Sequence, residues 1–133
     1  MKKTFVNGCF DILHRGHIEL FKYARSLSDY LDVAIDADDR IKQHKGPNRP
    51  FNGLEDRKFI LQSIQYIDEV ISFSNDEELR LSVKNTNPDF MIVGSDWEGK
   101  NVIGSEFAKK VIYFERIDGY STTETIKYLS NRW

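Results

Sequence analysis

Five short apolar runs punctuate this chain: Phe5-Val6, Tyr30 to Ile35, Glu69 to Phe73, Asp89 to Val93 and Lys110 to Phe114. Most of the longer stretches between them carry apolar residues at helical spacing, as in Ile18, Leu20, Phe21, Ala24 and Leu27, or Ile60, Leu61, Ile64 and Ile67. A strand, a helix and a second strand within Thr4 to Ile35 form a right-handed crossover unit with parallel strands. Repeated along the chain, this alternation predicts an α/β, Rossmann-like open parallel five-stranded sheet with helices on both faces. Helices are expected over Leu54 to Tyr66, over Asp76 to Asn85, where Asn87-Pro88 stops the turn, and from Ser121 to Thr123 onward. Asp89 to Val93, a continuous apolar run from Phe90 onward and bounded by turn residues, reads as a central strand.

At 133 residues the chain is expected to form one domain, 1–133. A formal net charge of −2 without a basic stripe argues against a nucleic-acid partner. The single Cys9 excludes an internal disulfide and suits a reducing cytoplasm. Cys9 is a weak candidate nucleophile because no base is arranged for it. Neither a signal peptide nor an apolar run long enough for a membrane span is evident, so a cytoplasmic location and a small substrate are expected.

Sheets of this kind place their sites beyond the carboxyl ends of the strands, and two such junctions carry chemistry here. The first is Thr4 to His17, TFVNGCFDILHRGH, which passes from a strand through the Asn7-Gly8 turn and a tight loop, Cys9-Phe10-Asp11, into a helix. His14 and His17 bracket Gly16 at the helix start, where unpartnered amides and the positive end of the dipole form a seat for phosphate. Imidazoles beside that seat are suited to phosphate oxygens that gain charge during phosphoryl transfer. Gly16 allows a nucleotide to lie close to the backbone. Two histidines three apart are also common on half-exposed helix surfaces.

The second junction is Glu115-Arg116-Ile-Asp-Gly119 running into Tyr120-Ser121-Thr122-Thr123. Hydroxyls at a helix start either cap it or bind a phosphate, and Glu124, three residues after Ser121, completes a capping-box pattern. Three hydroxyls in a row, with Arg116 just before them, read as a second phosphate seat facing the first.

Three stretches and one further residue, Arg57, remain open in function. Asp36-Ala-Asp-Asp39 follows the second strand and suits a cap or a ribose hydroxyl. Arg40 to Asn52, with Lys42, Lys45, Arg49, Gly46, Pro47 and Pro50, is read as a loop too polar for a helix, either solvated surface or a mobile flap carrying cations over a triphosphate. Arg57, in the first turn of a helix, sits against the local field and asks for a ligand or for an acidic neighbour such as Asp56. In Gly94-Ser-Asp-Trp-Glu-Gly-Lys100, Asp96 and Trp97 are placed on the ligand side, Trp97 either stacking on a sugar or base or plugging the core.

His14-Arg15-Gly16-His17 after Gly8-Cys9-Phe10-Asp11 resembles the HxGH signature of the nucleotidylyltransferase superfamily. The likeness covers nearly the whole chain. With Lys45-Gly-Pro-Asn-Arg-Pro50, Leu54-Glu-Asp-Arg57 and Gly119-Tyr-Ser-Thr-Thr123, the chain looks like the adenylyltransferase domain of the ADP-heptose synthesis enzymes. Its Gly94 to Lys100 segment instead resembles glycerol-3-phosphate cytidylyltransferases. The resemblance implies an enzyme that joins an NTP, ATP or CTP, to a small phosphorylated acceptor and releases pyrophosphate. The acceptor is a heptose 1-phosphate in the first case and glycerol 3-phosphate in the second, and a nucleotide-binding sensor without turnover is a third possibility.

By the same resemblance, His14 and His17 meet the phosphates, and the Gly8, Cys9 and Phe10 loop meets the nucleotide through its backbone. Lys45 takes the acceptor or α-phosphate and Arg57 the acceptor or triphosphate. Asp96 lies at the base or sugar end, while Ser121 and Thr122, flanked by Tyr120 and Thr123, hold the β- and γ-phosphates. Asp11 orients the first histidine or the metal shell. Mg²⁺ arrives with the NTP, since the sequence has no dense carboxylate cage. Many heptose enzymes fuse this domain to a sugar kinase, and no kinase lies within these residues, so a separate protein is expected to phosphorylate the acceptor. A homodimer is expected from the resemblance, with Phe59 and Tyr66 serving either core or partner.

Overall fold

The structure is a computed structural model that describes residues 1 to 132. Its elements run β1 (Lys3–Gly8), α1 (Arg15–Ser26), β2 (Tyr30–Asp36), α2 (Asp38–Lys45), α3 (Leu54–Gln62), β3 (Glu69–Phe73), α4 (Asp76–Thr86), β4 (Phe90–Gly94), β5 (Lys110–Phe114) and α5 (Thr122–Arg132), with short 3-10 turns at Ser95–Trp97 and Ser105–Phe107. The five strands form one parallel sheet in the order β3-β2-β1-β4-β5.

Strand alternation sends neighbouring side chains to opposite faces, and the core is divided accordingly. Val6 lies in register with Val33 on one side and Ile92 on the other. These three pack with Leu31, Ile35 and Val70 against Phe21 and Ala24 of α1 and Leu61 of α3. Phe5, Ala34 and Met91 occupy the other face and pack on Leu79 and Val83 of α4. The sheet is therefore covered on both faces, as the alternation predicts. Chain connections leave β1 toward β2 on one flank and β4 toward β5 on the other, which opens a crevice above the carboxyl ends of β1 and β4.

Two element expectations need correction. Residues 38–45 form α2, although the sequence from Arg40 onward reads as a loop. Their charges run acidic first (Asp38, Asp39) and basic last (Lys42, His44, Lys45), which complements the helix dipole, and Ile41 alone is buried to anchor the turn. With one apolar contact in eight residues, the periodicity that signals a helix was too weak to read. The third helix ends at Gln62 and its Ser63 cap, earlier than Tyr66. Tyr66 packs against the core, whereas Phe59 is 71% exposed. Among the described residues, no helix is long and apolar enough to cross a membrane.

Candidate active site

His14 is the N-cap of α1, and its Nδ1 accepts the amide of Gly16 at 3.0 Å. His17 reaches back so that its own Nδ1 accepts the amide of His14 at 3.1 Å. The two imidazoles thus close a reciprocal cap of the kind usually made by a hydroxyl and a carboxamide. A ring nitrogen that accepts an amide hydrogen carries no proton, so the neutral rings hold theirs on Nε2. The rings stack at 3.8 Å between centroids and line the same cavity, leaving two Nε2–H edges there as donors. Burial, the neighbouring His14, Lys45 and Arg116 together push His17 down to about 4, and burial with Arg116 lowers His14. Both are neutral donors at physiological pH.

The loop from β1 to α1 is held in an unusual shape. Phe10 (φ 50°) and Ile12 (φ 51°) are left-handed, which turns the Phe10 ring inward against Phe21 and edge-on to His17. A Cβ on Gly8 would stand 2.9 Å from that ring, so the glycine is needed for the Phe10 side chain. Gly8 itself does not line the cavity, whereas Cys9, Phe10 and Asp11 do. Gly16 likewise makes room for a neighbour, since a Cβ there would meet the His14 ring at 2.9 Å. Burial raises the Cys9 thiol, which keeps it protonated and unsuited to nucleophilic attack.

The opposite wall belongs to the last helix. Ser121 caps α5, its Oγ accepting the Glu124 amide at 3.3 Å. Thr122 Oγ1 donates to the carbonyls of Ile12 (2.9 Å) and Asp11 (3.2 Å), bolting the start of α5 to the β1–α1 loop. The Tyr120 ring stacks on His14 at 6.0 Å. Both sequence junctions therefore border one cavity of about 270 Å³, floored by the ends of β1 and β4 and walled by Phe114 and Ile117. The Thr122 hydroxyl donates within the protein, whereas Ser121 Oγ accepts from Glu124 and keeps its own O–H as a donor on the cavity lining. Beside it, α5 offers an anion the amides of its first turn, those of Thr122 and Thr123 among them.

Three cations line this cavity: Lys45 at the end of α2, Arg49 in the following turn, and Arg116 after β5. Arg57 does not join them, contrary to expectation. Its side chain is fully buried, donating from Nη2 to Asp38 (2.7 Å), from Nη1 to the carbonyls of Asp36 (2.8 Å) and Cys9 (3.0 Å), and from Nε to Asn52 (2.9 Å). The acidic neighbour is Asp38 rather than Asp56, and the guanidinium ties four segments together instead of meeting a ligand. Asp11 also serves the scaffold: its carboxylate accepts the amides of Phe51 (2.6 Å) and Asn52 (2.9 Å), not a histidine. Asp96 and Trp97 are exposed on the 3-10 turn and lie outside the lining, so Trp97 does not plug the core. In the acidic cluster, Asp36 pairs with Arg40 at 3.6 Å, and Ala37 rather than an aspartate stands at the start of α2.

Arg49 is the residue most easily missed from sequence. Its signal was the spacing from Lys45 across Gly46-Pro47, a turn that returns the chain to the same cavity.

Residues 5–127 match the cytidylyltransferase-like family model. The bifunctional protein HldE of Sulfurimonas denitrificans is 43% identical over 126 residues, covering 95% of this chain and 26% of that protein. HldE of Campylobacter fetus subsp. fetus is 43% identical over 123 residues, 92% of this chain and 27% of the relative. The chain thus spans about a quarter of the length of these relatives. Among solved structures, the lipopolysaccharide core biosynthesis protein from Thermoplasma volcanium superposes with a TM-score of 0.67 at 24% identity, over 91% of this chain and 99% of that one. Pantothenate synthetase from Thermus thermophilus superposes with a TM-score of 0.61 at 15% identity, over 96% and 64%. These two likenesses concern the fold. The family match, which runs over nearly all of the residues, places the chain in the cytidylyltransferase-like family.

Proposed function

We propose that the chain transfers a nucleoside monophosphate from an NTP to a sugar phosphate. An acceptor phosphate oxygen attacks the α-phosphorus in line; that O–P bond forms as the bond from the α-phosphorus to the bridging oxygen breaks, and pyrophosphate leaves. The acceptor phosphate is already anionic near neutral pH, so no strong base is required. His17, with a pKa of about 4, is a poor base and a good neutral donor, which suits stabilisation of the charge that develops. The observation that carries this reading is that His14 and His17, whose Nδ1 atoms are taken up by the helix cap and whose Nε2–H groups are thereby left as donors, line a cavity that the start of α5 borders from the other side.

Nucleotide and acceptor are assigned as ATP and heptose 1-phosphate, supported by Lys45 to Pro50, Gly119 to Thr123 and the HldE relatives. Mg²⁺ enters as part of the substrate, bound to the triphosphate. A cytoplasmic setting agrees with the lone free cysteine, and Phe59 and Ile60, exposed on α3, offer an apolar surface for a homodimer.

The test is pyrophosphate release from ATP or CTP in the presence of heptose 1-phosphate or glycerol 3-phosphate. Release is expected with ATP and heptose 1-phosphate, lost with a chelator and restored by Mg²⁺. Release confined to CTP and glycerol 3-phosphate transfers the assignment to CDP-glycerol synthesis. Tight nucleotide binding without release from any pair overturns the enzymatic reading.

A further inference from the structure

We infer that Arg49 seats the phosphate of the acceptor, as one half of a two-cation clamp with Lys45, while the triphosphate lies toward Arg116 and the start of α5. This rests on the nucleotidyl-transfer reading above.

Nucleotidyl transfer brings two anions into one cavity, and the cavity's positive groups fall on two flanks. Lys45 and Arg49 follow β2, on one side of β1, and Arg116 and α5 follow β5, on the other side. The β5 flank offers a helix start with several amides, suited to an extended polyanion. The β2 flank offers two side-chain cations close in sequence, suited to one compact dianion. His17 lines the same cavity as the cations of both flanks.

Arg49 is placed rather than merely near. Its amide donates to Gly46 O at 3.2 Å, closing a turn, and the two residues after Pro50 are gripped by the Asp11 carboxylate. Arg57 Nε holds the Asn52 carbonyl from beneath. Between these anchors the Nε of Arg49 is buried with no hydrogen-bond partner in the protein, in a side chain that lines the cavity. A buried, unpaired guanidinium donor is costly unless an anion meets it. The other arginines after β2 cannot take that part: Arg57 has Nε and both terminal nitrogens engaged within the fold, and Arg40, outside the cavity lining, is paired with Asp36 and Asp76.

The experiment compares wild type, R49Q and R49K by calorimetry, titrating heptose 1-phosphate into protein saturated with α,β-methylene ATP, and the ATP analogue into free protein. R49Q is expected to weaken heptose 1-phosphate by about 10-fold or more and the ATP analogue by no more than about 2-fold, with R49K recovering much of the loss. In turnover, the same variant raises the acceptor KM and leaves the ATP KM in place. An unchanged acceptor affinity, a loss confined to the ATP analogue, or equal losses in both overturns the assignment. Wild-type protein that turns over while R49Q keeps its acceptor KM removes this inference alone. Wild-type protein that binds no sugar phosphate and releases no pyrophosphate removes the nucleotidyl-transfer reading, and the clamp with it.

Discussion

His17 does two jobs with two nitrogens, and substitutions can separate them. Nδ1 caps the helix by accepting the His14 amide, and Nε2–H faces the cavity. Glutamine at this position retains an acceptor for the cap, as in an ordinary capping box, but not the ring's placement of the donor. H17Q is therefore expected to keep its thermal midpoint and lose turnover by on the order of 10²- to 10³-fold. H17A is expected to lose the same turnover and, in addition, about 1 kcal/mol of stability in denaturant melts. A second residue-scale consequence concerns pH. His17 has a folded pKa near 4 against 6.5 unfolded, so the unfolded chain binds more protons between those values and His17 lowers stability as pH falls through that window. Asp32 in β2 acts oppositely. Its carboxylate is buried, neither oxygen has a hydrogen-bond partner, and Lys3 Nζ stands 4.0 Å away. Burial raises it to about 6 from 3.8, so its contribution is fullest below 3.8 and is lost as pH rises through 6. Relative to wild type, D32N is expected to lose stability as pH falls from 6 to 4, and H17Q to gain it, each by up to about 1.4 kcal/mol per pH unit. Urea melts across that range check both signs.

At the scale of elements, Arg57 joins the β1–α1 loop, the end of β2, the start of α2 and the segment ahead of α3 through one guanidinium. Removing it leaves buried carbonyls and Asp38 without their donor, so R57A is expected to cost roughly 3 kcal/mol or more, and activity is lost through the fold. A ligand-binding arginine would instead lose activity with an unchanged melt, so thermal midpoint and turnover measured together distinguish the roles. The same residue shows where sequence reading reached its limit. An arginine in the first turn of a helix was visibly anomalous, but the carbonyls that satisfy it come from residues 5 to 48 positions away, and nothing local announces them. Strands were legible because β-branched and aromatic runs carry their own signal, and β3 and β5 fall on the expected residues. Helix α2 was not, because its stability comes from charge order and one buried Ile41. The placement of the Asp11 carboxylate on backbone amides and of Asp96 in solvent was illegible for a related reason: a loop carboxylate can turn to amides or to solvent as well as to a substrate, and sequence does not say which.

For the molecule as a whole, the decisive long-range contact is a single hydroxyl. Thr122 lies 110 residues from Ile12, and its Oγ1 joins the two walls of the cavity. T122V keeps the shape and removes the donor, and is expected to cost about 1 kcal/mol and to raise the KM for the NTP several-fold, read from melts and initial rates. The juxtaposition of the two junctions followed from the parallel sheet, since every strand end points the same way. Order of synthesis follows from it as well. A nascent polypeptide that has emerged only as far as Phe114 already contains all five strands, yet it possesses half a mouth. Such a polypeptide can hide its apolar residues while still on the ribosome and remain idle toward nucleotides. Competence arrives only once α5 has followed, when its Thr122 latches onto the loop between β1 and α1.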